Sequence, residues 1–297
     1  MMACRRGSRD DLPFLEELQV GRQAKPNLLE TVRLVEPWSR PELPFWVLPG
    51  AGYALWDLAG HERTTRRPIA RLWDLQVAPE HNALQVAAAL LDASEAELPK
   101  GLHRLVLTTA EDGHWSPILA SRGYEVETLR MTRELSHHRL DGPRLSSFRA
   151  RPLRDGDRAL LRVLAATNLT HTLPAGRQEE LDQFQSATQQ YFEEFDPMAA
   201  DLIGLVAVEK STRRSIGYIL VNLESEGLAY LRDISVRPEY WGRYAAQFLV
   251  RAAENELVQR GYREIYADIS ADNPRSYRTA QRSLGFKKAG QLWGRSG

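Results

Sequence analysis

"LRDISVRPEYWGRYAAQFL", residues Leu231 to Leu249, decides how this chain is read. A strand ends in it, a turn follows, and an amphipathic helix begins. Ala245, Phe248, Leu249, Ala252, Ala253, Leu257 and Val258 recur at helical spacing, giving that helix one apolar face. The pattern predicts a helix from about Trp241 to Arg260.

The chain says the same thing twice. "LWDLQVAPEH" (Leu72–His81) and "LRDISVRPEY" (Leu231–Tyr240) share Leu-x-Asp-aliphatic-x-Val-x-Pro-Glu-aromatic. Each is followed by a long helical pattern, first Ala83–Leu98 and then Trp241–Arg260. Next come a short strand (His103–Thr109, Arg263–Ser270) and a short helix closing on a glycine–aromatic pair (Gly123-Tyr124, Gly285-Phe286). A weaker echo links Arg5–Leu18 to Arg149–Leu164. The stretch Ser136–Ser147, with its Gly-Pro pair, interrupts both periods and puts a border near Pro143. The expected domains are 1–142 and 143–297. His137 and His138 are read as an exposed linker pair.

In the second copy the expected order is strand (Leu145–Arg151), helix (Gly156–Ala166, capped by Asp155), helix (Gln178–Phe195) and three strands (Asp201–Lys210, Ser215–Asn222, Leu228–Val236). The long helix follows, then a strand (Arg263–Ser270), a helix near Asn273–Leu284, and a last strand around Phe286–Leu292. This is α+β, with the strands on either side of the long helix parallel.

Composition narrows the function. The chain has 297 residues, enough for two ordinary domains, and 43% are hydrophobic, enough for real cores. Lys+Arg and Asp+Glu both number 39, so no net basic charge favours nucleic acid or an anionic membrane. The single cysteine, Cys4, rules out a disulfide framework within the chain. With no leader and no apolar run of membrane length, a soluble cytoplasmic protein is expected. No catalytic triad, zinc spacing or Walker loop is present.

On "LRDISVRPEYWGRYAAQFL" and "ADNPRSYRTAQRSLGF" (Ala271–Phe286), the second copy resembles the GNAT superfamily of acyl-CoA-dependent N-acyltransferases. The resemblance spans about residues 145–293 and, more weakly, 3–135. It implies two tandem GNAT-like domains, each a mixed, mostly antiparallel sheet flanked by helices. It also implies a bulged strand, a V-shaped slot for the acyl-pantetheine arm, and a diphosphate held on main-chain N–H groups at the start of the long helix. On the family loop Gln/Arg-x-x-Gly-x-Gly/Ala, Trp241 takes the leading position, Tyr244 the first glycine and Ala246 the last. Only Ala246 fits strictly. The first copy has Leu84 and Gln85 there and is read as a degenerate, non-binding copy.

The resemblance further implies cofactor contacts at Ile234, Ser235, Val236, Gly242, Arg243, Tyr244, Ala245, Ala246 and Asn273. The cofactor is acetyl-CoA or another acyl-CoA. Transfer to an amine needs a base, an oxyanion donor and an acid. Asp233 is the candidate base and a backbone N–H near Ile234–Val236 the oxyanion donor. The family's acid Tyr is missing: counting from Gly285 reaches Gln281 and counting from Asn273 reaches Ala280, because the segment is one residue longer. Tyr277, one turn earlier, is the candidate in its place. The acceptor is a primary amine of a small molecule or peptide, met by Thr167–Gln185, where His171, Glu179, Glu180 and Asp182 favour a cation. The alternative is a non-catalytic protein of this fold that binds a metabolite or partner. Aminoacyl transfer from tRNA is disfavoured by the zero net charge.

Overall fold

The computed structural model of the chain describes residues 3–20, 41–62, 67–109, 115–140, 142, 144–224 and 227–296. Pro143 lies outside them. The chain divides into two compact units, Met1–Val126 with Leu292–Gly297, and Glu127–Gln291.

Unit 1 contains β1 (Arg5–Arg6), α1 (Leu12–Val20), β2 (Phe45–Leu48), β3 (Gly52–Asp57), β4 (Ile69–Val77), α2 (Ala83–Glu97), β5 (His103–Thr109) and α3 (Ser116–Ser121). Strands β1 to β4 pair antiparallel in sequence order, and β5 joins β4 in parallel. Trp46, Trp56, Leu90, Leu91 and Leu119 form its main core. The segment Leu292–Gly297 belongs here through Trp293, whose Nε1 donates to Thr108 Oγ1 at 3.1 Å, and Arg295, which meets Glu95 at 2.5 Å.

Unit 2 takes β6 (Glu125–Glu134) from Glu127 onward, then β7 (Phe148–Pro152), α4 (Arg158–Thr172), α5 (Leu181–Glu194), β8 (Leu202–Glu209) and β9 (Ser215–Leu223). It continues with β10 (Leu228–Val236), α6 (Ala245–Gln259), β11 (Glu264–Ser270), α7 (Pro274–Arg278) and the part of β12 (Lys287–Arg295) up to Gln291. From β12 its strands run in the order β12-β6-β11-β10-β9-β8-β7, and from β6 onward the pairs are antiparallel except for β10 and β11. The apolar stripe predicted for α6 is buried at Ala245, Phe248, Leu249, Ala252, Ala253 and Leu257. Both units are therefore mostly antiparallel sheets flanked by helices.

The repeat extends to the register of the strands. Gly52, Tyr53, Ala54 and Leu55 face Val77, Gln76, Leu75 and Asp74; Gly217, Tyr218, Ile219 and Leu220 face Val236, Ser235, Ile234 and Asp233. Both strand pairs then slip, at Trp73 and at Arg232. Both glycines are dictated by close approach: a Cβ on Gly52 would lie 2.4 Å from the Gln76 carbonyl oxygen, and one on Gly217 2.6 Å from that of Ser235. The N-terminal echo is as close. Arg5 grips Asp11 with two hydrogen bonds (2.9 and 2.7 Å) and Arg151 grips Asp157 with two (both 2.6 Å).

Several sequence expectations are corrected. The units divide at Val126/Glu127 instead of 142/143, because β6 pairs with β11 from Thr128 to Glu134, before the Gly-Pro linker is reached. Asp157, not Asp155, serves the entrance of α4, accepting from the Arg154 N–H as well as from Arg151. His138 is no exposed linker residue. Its imidazole bonds the fully buried Glu254 of α6, whose other oxygen lies 3.1 Å from Arg133, and its main chain is clasped by Asn255. Burial pushes the Glu254 carboxyl up to about 7, against Arg133 and Arg251. Burial, with Arg133 and Arg251, pushes the His138 imidazole down.

Candidate active site

The site grows from the slip at Arg232. Strands β10 and β11 pair from Leu228/Glu264 to Leu231/Ala267 and no further, although β11 continues to Ser270 and β10 to Val236. The bulge turns the end of β10 away and leaves a slot between the two strand ends. Main-chain direction follows from one bond. The Arg237 N–H donates to Ile216 O at 2.8 Å, so by antiparallel alternation Arg237, Ser235 and Asp233 turn their peptide groups to β9. Ile234 and Val236 turn theirs to the slot. Ser235 offers the slot nothing: its hydroxyl donates to Leu164 O (3.0 Å) and receives Asn168 Nδ2 (2.5 Å).

After Val236 the chain makes a short turn of helix (Pro238–Tyr240) and a four-residue loop before α6. The helix begins at Ala245, not Trp241, because Gly242 (φ 76°) and Tyr244 (φ 63°, ψ 8°) are both left-handed. Glycine adopts this conformation without strain; a tyrosine held there costs about 1–2 kcal/mol. Its ring is packed against the core of unit 2, with the Arg144 guanidinium 5.0 Å from the ring centre. The Arg243 N–H is consumed by Tyr240 O (3.2 Å), and the Phe248 N–H begins the helix ladder on Tyr244 O (2.9 Å). Among the described residues nothing accepts from the N–H groups of Gly242, Tyr244, Ala245, Ala246 and Gln247, and no side chain caps the helix. Four consecutive donors at the positive end of a 15-residue helix suit a diphosphate.

The corresponding opening in unit 1 is smaller among the described residues. Its helix starts six residues after Val77, against nine after Val236. Asn82 caps it, accepting from the Gln85 N–H at 3.1 Å.

Asp233 lies beneath the bulge and accepts from the Tyr218 hydroxyl at 2.5 Å. Burial lifts its carboxyl above the usual range, opposed by that hydroxyl and by Arg232. Burial and the carboxylate drive the Tyr218 phenol well up. Tyr53 bonds Asp74 in the same way in unit 1. The tyrosines escaped the sequence reading, although Gly-Tyr-x-Leu at 52–55 and 217–220 was there to be matched.

Across the slot, Asn273 caps α7 by accepting from the Ser276 N–H at 3.0 Å. The surplus residue counted in this segment is absorbed in a π-helical turn at Thr279–Ser283, closed by the Leu284 N–H on Thr279 O. Ala280 carries no polar group and Gln281 only a neutral amide, so neither supplies an acid. Tyr277 is half-buried against the core, and its hydroxyl meets no partner among the described residues. Of the acceptor residues, Glu180 is tied to Arg177 (2.6 Å), Glu179 and Asp182 are exposed, and the His171 ring stands edge-on to Trp241 at 6.1 Å. No helix among the described residues is long and apolar enough to cross a membrane.

Residues 171–286, all within unit 2, match the Acetyltransferase (GNAT) family. No curated protein matches the chain. Solved structures do. A GCN5-related N-acetyltransferase from Sphaerobacter thermophilus is 19% identical with a TM-score of 0.55, covering 99% of this chain and 95% of its own. A GNAT-family acetyltransferase from Colwellia psychrerythraea is 13% identical (TM-score 0.52, 98% of each chain), and a GCN5-related N-acetyltransferase from Kribbella flavida 11% (0.51, 93% and 97%). At such identities the likeness is one of fold. The chain thus has the fold of GNAT acetyltransferases, and the stretch of it that builds the slot and the uncapped helix matches that family in sequence.

Proposed function

We propose that unit 2 is an acyl-CoA-dependent N-acetyltransferase, transferring the acyl group of acetyl-CoA or another acyl-CoA to a primary amine of a small molecule or peptide. The observation that carries this reading is the run of unpaired N–H groups at the head of α6, opening beside a splayed strand pair. These donors fit the diphosphate; the Val236 N–H and the slot-facing groups of Ile234 fit the amide-rich arm. When bound, the cofactor supplies the activated acyl group. Gly242 and Tyr244 to Gln247 hold the anion, and Asn273 steadies the far wall.

The Tyr277 phenol is the proposed proton donor at its hydroxyl. Asp233, nominated from sequence as the base, has a duplicate in Asp74, which sits in the copy whose helix start is capped. That parallel supports a positioning role, in which Asp233 pins Tyr218 and so fixes the bulge. Unit 1 is proposed to be the degenerate copy, since Asn82 already occupies a donor that a diphosphate would need.

Ligand linkage tests the reading: acetyl-CoA at about one hundred times its Kd should stabilise the protein by about 2.7 kcal/mol, seen as a rise in Tm. An unchanged Tm at millimolar acetyl-CoA and longer acyl-CoAs would refute it. Turnover with a panel of amines separates it from the non-catalytic alternative, which the aromatic residues at Trp241 and Tyr244 favour.

A further inference from the structure

Trp241 stands where the family loop has Gln or Arg, and its indole is fixed on three sides. Nε1 donates to the carbonyl oxygen of Val236 at 2.8 Å. By the strand alternation above, that carbonyl points into the slot. The Arg275 guanidinium, from the helix that follows β11, lies 4.2 Å from the ring centre. His171, near the end of α4, closes the third side. The indole therefore reaches from the slot-facing edge of β10 to the helix beyond β11. It occupies an acceptor at the end of β10 and spans the gap that the bulge opens.

We infer that Trp241 is an aromatic latch over the acyl-CoA slot, which must leave the Val236 carbonyl before the cofactor arm can pair along β10. The inference rests on the acyl-CoA reading of unit 2. The latch also has a release built in. Arg275 makes no ion pair among the described residues, so its guanidinium is held by the π-face of the ring alone. An incoming diphosphate competes with that face for the same cation, and the stronger charge–charge attraction loosens the ring. Cofactor binding then proceeds through a minor, unlatched population, whose fraction lowers the apparent affinity.

Calorimetry and stopped-flow fluorescence with acetyl-CoA on the full chain test this, using the natural protein, Trp241→Phe and Trp241→Arg, each first checked for an unaltered thermal melt. Phe keeps a ring, with a smaller π-face, for Arg275 and loses the N–H donor. It should bind about fivefold more tightly, the weight of one neutral hydrogen bond. Trp241→Arg, which frees the carbonyl and adds charge, should gain more. In the natural protein the binding rate should level off with ligand concentration at the rate of unlatching, and in Trp241→Phe it should stay linear. Equal affinities and rates in all three proteins would overturn the latch and leave the acyl-CoA reading standing. Weaker binding by both variants would overturn it too, making Trp241 part of the cofactor's wall. Failure of all three to bind at millimolar acetyl-CoA would remove the acyl-CoA reading and the latch together.

Discussion

Units 1 and 2 share one strand design and differ at one loop. Both carry Gly-Tyr-x-Leu against a bulged strand, both place a Tyr–Asp hydrogen bond under the bulge, and in both the parallel strands part after four paired residues. What unit 2 adds is three residues between strand and helix, with Gly242 and Tyr244 left-handed and the helix donors open. Unit 1 starts its helix three residues sooner and caps it with Asn82. The shared parts are thereby marked as architecture and the unshared loop as the place where a ligand would be met. Asp233 falls on the architectural side of that line.

Substitutions in matched pairs break or sharpen the comparison. The largest effect is expected from Gly52→Ala and Gly217→Ala, whose new Cβ atoms would meet backbone oxygens at 2.4 and 2.6 Å. Each should cost about 3 kcal/mol or more in urea unfolding, and a benign result at either would deny that the close approach is required. Next, Asp74→Asn and Asp233→Asn should each lose about 2 kcal/mol, the value of a hydrogen bond to a charged partner. Once turnover is established, Asp233→Asn should keep the shape of the pH–rate profile. Loss of its low-pH limb in Asp233→Asn alone would restore Asp233 as the general base.

The third prediction concerns pH. The folded-state pKa of Glu254, about 7, lies above its ordinary 4.5, so the folded chain binds this proton more tightly than the unfolded one. That contribution is full below 4.5 and is lost as pH rises through about 7; His138, pushed down, works the other way and offsets part of it. Glu254→Gln keeps the neutral form at every pH. It should match the natural protein near pH 5 and exceed it by about 1–2 kcal/mol near pH 8. A constant gap in unfolding free energy across that range would contradict the assignment. Smallest of all, Asn82→Ala should cost about 1 kcal/mol of stability, with acetyl-CoA affinity unchanged.

What the sequence made legible was local or repeated. Leu228–Val236 was read to the residue, because its apolar pattern stops at Arg237-Pro238. The surplus residue between Asn273 and Gly285 could be counted, and the π-helical turn is its physical form. The helix start was misread because nothing in propensity announces a left-handed tyrosine; Trp241 to Tyr244 continue a helical pattern until their backbone angles are known. The Tyr218–Asp233 bond, the indole on Val236 and the His138–Glu254 contact escaped for another reason. Each joins residues distant in sequence, and no periodicity carries such a pairing.

The central claim is that main-chain donors at the head of α6, and not those at the head of α2, meet the cofactor's diphosphate. Amide-resolved NMR during an acetyl-CoA titration reads both loops at once. The account predicts saturable shifts at the N–H groups of Gly242 and Tyr244 to Gln247, with Ala83 to Gln85 unmoved. Shifts at Ala83 to Gln85 instead, or none at either loop, would contradict it.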